Sequence, residues 1–243
     1  MSGFASLFKP WRNTLNLSGQ DAELGVDLNP LVQIYYFGSF NPVHLGHLKV
    51  AQEALATLTS QGFEELVFVP SPNPPNKMGA LLKKQYPMMP LHSRVALLQY
   101  AIEDLGAGNY FKVLALEKED PQGLRASYTA ETLQHYFAEF LRDAPAQKLF
   151  LLMGEDTLET LPTWKQASWL MKHVHCVVMP RPLQVSLYKS IKTQVLLEER
   201  YGLSLTRLKP EHTFPMNATH LRMNKTLYDT WLTPSVAQAL YTH

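Results

Sequence analysis

The stretch YYFGSFNPVHLGHLKVAQEAL, residues 35–55, passes from an apolar run to an amphipathic helix through a turn of Gly38, Ser39, Phe40, Asn41 and Pro42. Leu45, Leu48, Ala51 and Leu55 recur at helical spacing, so the helix has one apolar face. Two histidines, His44 and His47, flank Gly46 where that helix begins. A helix start presents free N–H groups and the positive end of the backbone dipole, which together favour phosphate. Imidazoles three residues apart share a helix face and can both donate to phosphate oxygens. Gly46, lacking a side chain, would let a ligand approach the backbone. A metal site would need a third ligand at close spacing, which does not appear, so the pattern favours a polyphosphate cradle over metal or core packing.

Outward from this turn the same alternation continues. The runs LVQIYYF, ELVFVP, YFKVLALE, KLFLLMG and VHCVVMP have the length and β-branched or aromatic content of buried strands. Helical periods separate them at LGHLKVAQEALATL, SRVALLQYAIEDL, SYTAETLQHYFAEFL and LPTWKQASWLMKH. Alternating strands and helices predict an α/β fold, a Rossmann-like open, mostly parallel sheet with helices on both faces. Ligands of such sheets bind beyond the carboxyl ends of the strands, where the first strand-to-helix turn lies. No G-x-G-x-x-G stands there, so the usual dinucleotide fingerprint is missing. A Pro-, Lys- and Met-rich loop at 70–90 is long enough to suggest function. A second irregular segment, from about Arg181 to Pro215, contains a helical period, SIKTQVLLEERYG, and a further strand.

Bulk properties narrow the classes. The 243 residues include 46% hydrophobic side chains, enough for a sizeable core. A net charge of +1 argues against a nucleic-acid-binding face. No apolar run reaches membrane-spanning length, and the mixed N-terminus lacks the order of a signal peptide. The lone Cys176 sits in an apolar run and reads as a buried strand residue. A cytoplasmic, reducing setting is expected, with no membrane or nucleic-acid partner. Residues 1–30 read as an extension and 31–243 as one domain; the sequence leaves a homo-oligomer open.

GSFNPVHLGH, residues 38–47, resembles the signature of the nucleotidyltransferase superfamily with the H-x-G-H motif. More narrowly, the chain is similar to adenylyltransferases that join nicotinate or nicotinamide mononucleotide to ATP. FVPSPNPPNK resembles that family's proline-rich loop and SYTAETL its S-Y-T-x-x-T-L helix start. GEDTLETLPTWK resembles G-x-D with P-T-W, and MNATHLR the C-terminal I-S-x-T-x-x-R. The segments stand in family order across about residues 33–225.

The resemblance implies attack by the 5′-phosphate of a pyridine mononucleotide on the α-phosphorus of ATP. The nucleophile is already an anion, so positioning and charge stabilisation are the work required. It gives His44, His47 and Arg222 catalytic roles. Gly38, Ser39, Phe40, Gly154, Asp156, Asn217 and Thr219 would join them in holding ATP, with Arg222 and Thr219 on the β- and γ-phosphates. Ser39, Lys77, Tyr128, Thr129 and Trp164 would meet the pyridine nucleotide, Trp164 stacking on its ring while the amides at Ser127, Tyr128 and Thr129 receive a nicotinate carboxylate. Magnesium is expected with ATP, mostly water-coordinated, without a protein cage. Phe37 and Asn41 replace residues usual in bacterial relatives, and Asn76 and Asn217 depart from the loop and clamp motifs. Nicotinate mononucleotide is the expected acceptor. The alternatives are the nicotinamide form, another acceptor phosphate such as a phosphopantetheine or polyol phosphate, or a nucleotide-binding module without catalysis.

Overall fold

The five apolar runs and a sixth short one pair side by side in the computed structural model, which describes residues 28–75, 88–117, 126–180, 187–209 and 218–242. The strands are β1 (Gln33–Gly38), β2 (Glu65–Pro70), β3 (Phe111–Val113), β4 (Leu149–Gly154), β5 (Val174–Met179) and β6 (Ser204–Arg207). Their order is β3-β2-β1-β4-β5-β6, and every pairing is parallel. This is the doubly wound Rossmann order, in which the winding reverses between β1 and β4. The helices are α1 (Leu45–Leu58), α2 (Leu91–Asp104), α3 (Thr129–Asp143), α4 (Glu155–Thr160), α5 (Ala167–His173), α6 (Leu187–Tyr201), α7 (Ala218–Met223), α8 (Tyr228–Trp231) and α9 (Pro234–Tyr241).

Side-chain alternation along each strand feeds two cores. Ile34 and Tyr36 of β1, Leu66 and Phe68 of β2 and Leu152 of β4 meet Leu48, Ala51 and Leu55 of α1 and Leu97 and Leu98 of α2. Tyr35 and Phe37, Val67 and Val69, and Leu149, Leu151 and Met153 face the other way, onto Leu133 and Phe137 of α3 and Leu158 of α4. Both faces of the central strands are dry, so their sequences read as nearly continuous apolar runs. Cys176 lies in β5, fully buried, and burial pushes its thiol up to about 12. No helix among the described residues is long and apolar enough to cross a membrane.

Two expectations change. The run YFKVLALE keeps only Phe111–Val113 as strand, because β3 is an edge strand supported on one side by β2. The period LPTWKQASWLMKH is not one helix. A short 3₁₀ turn, Leu161–Thr163, gives way to extended backbone at Trp164 (ψ 153°) and a left-handed Gln166 (φ 56°) before α5 begins. Gly154 is the N-cap of α4, and Asp156 lies within its first turn.

Candidate active site

The carboxyl ends of β1 and β4 are neighbours, and both turns that leave them carry candidate residues. After β1 the backbone folds sharply. Phe40 adopts φ 42°, the Asn41–Pro42 peptide is cis, and His44 caps α1 in extended conformation (φ −148°, ψ 167°). A left-handed phenylalanine costs about 1–3 kcal/mol and persists only where its surroundings over-determine it. Here the ring packs within 5.1–5.5 Å of the Tyr36, His47 and Phe68 ring centres and is 2% exposed. A Cβ on Gly38 would stand 2.9 Å from that ring, so glycine is required there by the aromatic wedge. The Phe40 side chain is thus core, which leaves only its backbone to meet a nucleotide.

The two histidine rings lie against each other, with centres 3.8 Å apart and planes tilted by 31°. The His44 N–H donates to His47 Nδ1 at 3.3 Å, so a neutral His47 carries its proton on Nε2, as a donor. His44 is buried, and its Nδ1 is sealed from solvent with no hydrogen-bond partner among the described residues. Burial lowers its pKa to about 4, so the ring is neutral at neutral pH. A histidine whose folded pKa lies below its unfolded value of about 6.5 stabilises the fold above that value. That stability is lost as pH falls from 6.5 towards 4, by about 3 kcal/mol in full. Urea unfolding across this window should show the loss, and His44→Asn should remove most of it. An unchanged slope in the variant would contradict the assignment.

Arg222 reaches this turn from the far end of the chain. Its guanidinium donates to the Asn41 carbonyl and, at 3.0 Å, to Thr219 Oγ1, one turn back in α7. The C-terminal motif is thereby brought onto the H-x-G-H turn. Asn41 is itself buried, with Oδ1 accepting from the Met89 N–H at 3.1 Å.

On the β4 side, Asp156 is exposed and folds back over Gly154. Its Oδ1 lies 2.6 Å from where a Cβ on Gly154 would be, so any side chain at 154 would displace the carboxylate. Glu155 points inward, 4% exposed, and pairs with Arg207 at 2.7 Å, tying the end of β6 to the start of α4.

Trp164 is half-buried against the second core, with Nε1 donating to Thr160 Oγ1 at 3.3 Å. Lys165 bridges to the opposite wall, where its ammonium stands 4.4 Å from the centre of the Tyr128 ring and 2.5 Å from Glu131. The tryptophan segment and the start of α3, with Tyr128 and Thr129, therefore face one another. Lys77, Asn76 and Asn217 lie outside the described residues.

Two buried charges at the site escape the sequence reading. Arg94 of α2 is fully buried and donates to the carbonyls of Met89 (2.9 Å), Ser39 (2.8 Å), Ser71 (2.8 Å) and Pro72 (3.4 Å). The available signal is its place on the apolar face of α2, in step with Leu91, Leu97 and Leu98. Glu117 ends the β3 run, 7% exposed, and accepts from Thr132 Oγ1 at 2.7 Å. Burial raises its pKa, opposed by the hydrogen bond from Thr132. Among the described residues no three His, Cys, Asp or Glu side chains cluster as a metal site.

Residues 35–222 match the model of a family described as cytidylyltransferase-like. A protein of Pseudomonas syringae pv. tomato named "Probable nicotinate-nucleotide adenylyltransferase" is 33% identical over 145 residues, 60% of this chain and 57% of that protein. One of the same name from Symbiobacterium thermophilum is 34% identical over 145 residues, 60% of this chain and 61% of its own. The match thus spans less than two thirds of these relatives' length. Plasmodium falciparum nicotinic acid mononucleotide adenylyltransferase, solved in complex with NaAD, superposes with a TM-score of 0.63 over 86% of this chain and 94% of that one. At 11% identity, that likeness establishes the fold alone.

Proposed function

The chain belongs to the cytidylyltransferase-like family, and on that premise we propose that it transfers the adenylyl group of ATP to nicotinate mononucleotide. The products are pyrophosphate and the deamido form of the NAD dinucleotide, in NAD biosynthesis. One observation carries the reading. Arg222, from a segment 181 residues away, donates to the Asn41 carbonyl three residues before His44, and Thr219 accepts from the same guanidinium. Imidazoles and a guanidinium fork gathered at one strand-to-helix turn suit a polyphosphate. The names of the relatives support the same chemistry.

In this reading a 5′-phosphate oxygen of the mononucleotide forms a bond to the α-phosphorus of ATP as the bond to the bridging oxygen of pyrophosphate breaks. The leaving pyrophosphate takes that electron pair, and no proton need be removed. His44 and His47 donate to the phosphate oxygens as charge develops, Arg222 and Thr219 hold the β- and γ-phosphates, and Ser39 stands near the reacting groups. Backbone at Gly38 and Phe40 lines the turn, and Gly154 and Asp156 take the adenosine ribose. Asn217 and Lys77 complete the grips on ATP and acceptor. Magnesium would arrive on the nucleotide's phosphates, since the side chains at the turn are donors suited to anions. Bound there, it would neutralise phosphate charge.

Trp164 offers the pyridine a stacking face, and the amides opening α3 at Tyr128 and Thr129 offer a carboxylate its donors. That pairing favours the acid over the amide form. The partners are therefore small molecules, and the setting is cytoplasmic. Incubation with ATP and each mononucleotide in turn, following pyrophosphate, tests this. The expected kcat/KM is at least about tenfold higher with nicotinate mononucleotide, the worth of one charge-assisted hydrogen bond. Pyrophosphate from neither substrate would sink the proposal.

A further inference from the structure

Arg94 is an expensive residue to bury, since desolvating its charge costs several kcal/mol and an apolar side chain would fill α2's inner face more simply. What it contacts accounts for its presence. Four carbonyl oxygens from three separate loops converge on one planar fork: Ser39 in the turn after β1, Ser71 and Pro72 after β2, and Met89 before α2. Each of these loops continues into a different part of the site. Met89 passes the link on through its N–H to Asn41, which also accepts from Arg222. Asn73, beside Pro72, accepts from the Ser127 N–H at 3.0 Å, and Ser127 begins the S-Y-T segment. Glu117 grips that end through Thr132.

We propose that Arg94 is a positioning residue that holds the ATP half of the site in register with the acceptor half. Through Ser39 and Met89 it holds the turn carrying His44 and His47. Through Ser71 and Pro72 it holds the strand end hydrogen-bonded to the start of α3. In-line transfer between two bound nucleotides depends on this spacing, and a misplacement of about 1 Å can cost about 10²-fold in rate. A lysine cannot replace the fork, because a single ammonium does not span carbonyls arranged in a plane.

The inference rests on the adenylyl-transfer reading for its kinetic arm. Arg94→Lys and Arg94→Met should each lower kcat by about 10²-fold, while the dissociation constants for ATP and for the mononucleotide, each measured alone, stay within about threefold. Wild-type kcat in Arg94→Lys would overturn the proposal, as would losses confined to binding. Hydrogen exchange supplies an arm independent of the substrate. The amides of Met89, Ser71 and Ser127 should lose protection together in both variants, with those of β5 unchanged; protection lost in one loop alone, or in none, would overturn it. A variant that melts below the assay temperature is replaced by Arg94→Ala, assayed with and without millimolar guanidinium chloride against equal sodium chloride. Guanidinium should raise its turnover at least tenfold, and no rise would overturn the proposal. If the wild-type protein makes no dinucleotide, the functional reading fails, and the exchange pattern still decides the role of Arg94.

Discussion

His47→Ala lowers kcat by about 10²–10³-fold and weakens ATP binding by less than about tenfold, as expected when a donor acts mainly on charge that develops during transfer. The structure gives the reason for the asymmetry. His47 Nδ1 is occupied by the His44 N–H, which fixes the ring and leaves the proton on Nε2. The Phe40 and Tyr36 rings, with centres 5.1 and 6.2 Å away, restrict its swing. A donor held this way costs little reorganisation when charge builds on a phosphate oxygen. In the proposed complex ground-state ATP would have other holders, so its binding would depend less on this imidazole. Pre-steady-state turnover and equilibrium ATP binding, measured on the same preparation, separate the two effects. An unaffected kcat would remove His47 from the chemistry.

Arg222→Ala should lower kcat/KM for ATP by about 10²-fold, and Arg222→Lys by at least tenfold, the loss of two charge-assisted hydrogen bonds worth about 1.5–3 kcal/mol each. The lysine variant is the sharper test. It keeps the charge that attracts polyphosphate but cannot hold both the Asn41 carbonyl and Thr219 Oγ1 in one plane. If attraction alone were the role, lysine would serve nearly as well. A lysine variant with wild-type kcat/KM would show that the fork geometry is dispensable.

Much of this organisation was legible in residue order, and the exceptions have physical causes. The predicted first helix coincides with Leu45–Leu58, because its apolar period is regular and the turn before it is closed by glycine and proline. Strand identity survived in the centre of the sheet, where both faces are buried, and shrank at the edge in Phe111–Val113. The segment LPTWKQASWLMKH carries a helical period that its backbone does not follow, because Trp164 is extended and Gln166 left-handed. A period reports which side chains are apolar; it does not report where tertiary contacts hold the chain open.

Arg94 stands in step with the apolar face of α2, but what it does was illegible for another reason. Its partners are carbonyl groups, which every residue possesses, so no motif marks them. The paired histidines, by contrast, announce themselves because their chemistry lies in their side chains. Phe40 shows the reverse case. It lies inside the motif, yet its ring serves the core.

The contact between Arg222 and Asn41 also has a bearing on how the protein comes to be active. It closes a span of 181 residues, and closure entropy rises only with the logarithm of that span. Contacts so distant in the chain nonetheless come late in folding, after strands and local helices have formed. On a ribosome, His44 and His47 would emerge long before their arginine. Until Arg222 has been made and α7 docked, the growing chain would have a phosphate turn lacking its C-terminal clamp. If this turn holds ATP as proposed, competence to do so would be a checkpoint on near-complete folding, sparing a partly folded chain from binding nucleotide unproductively.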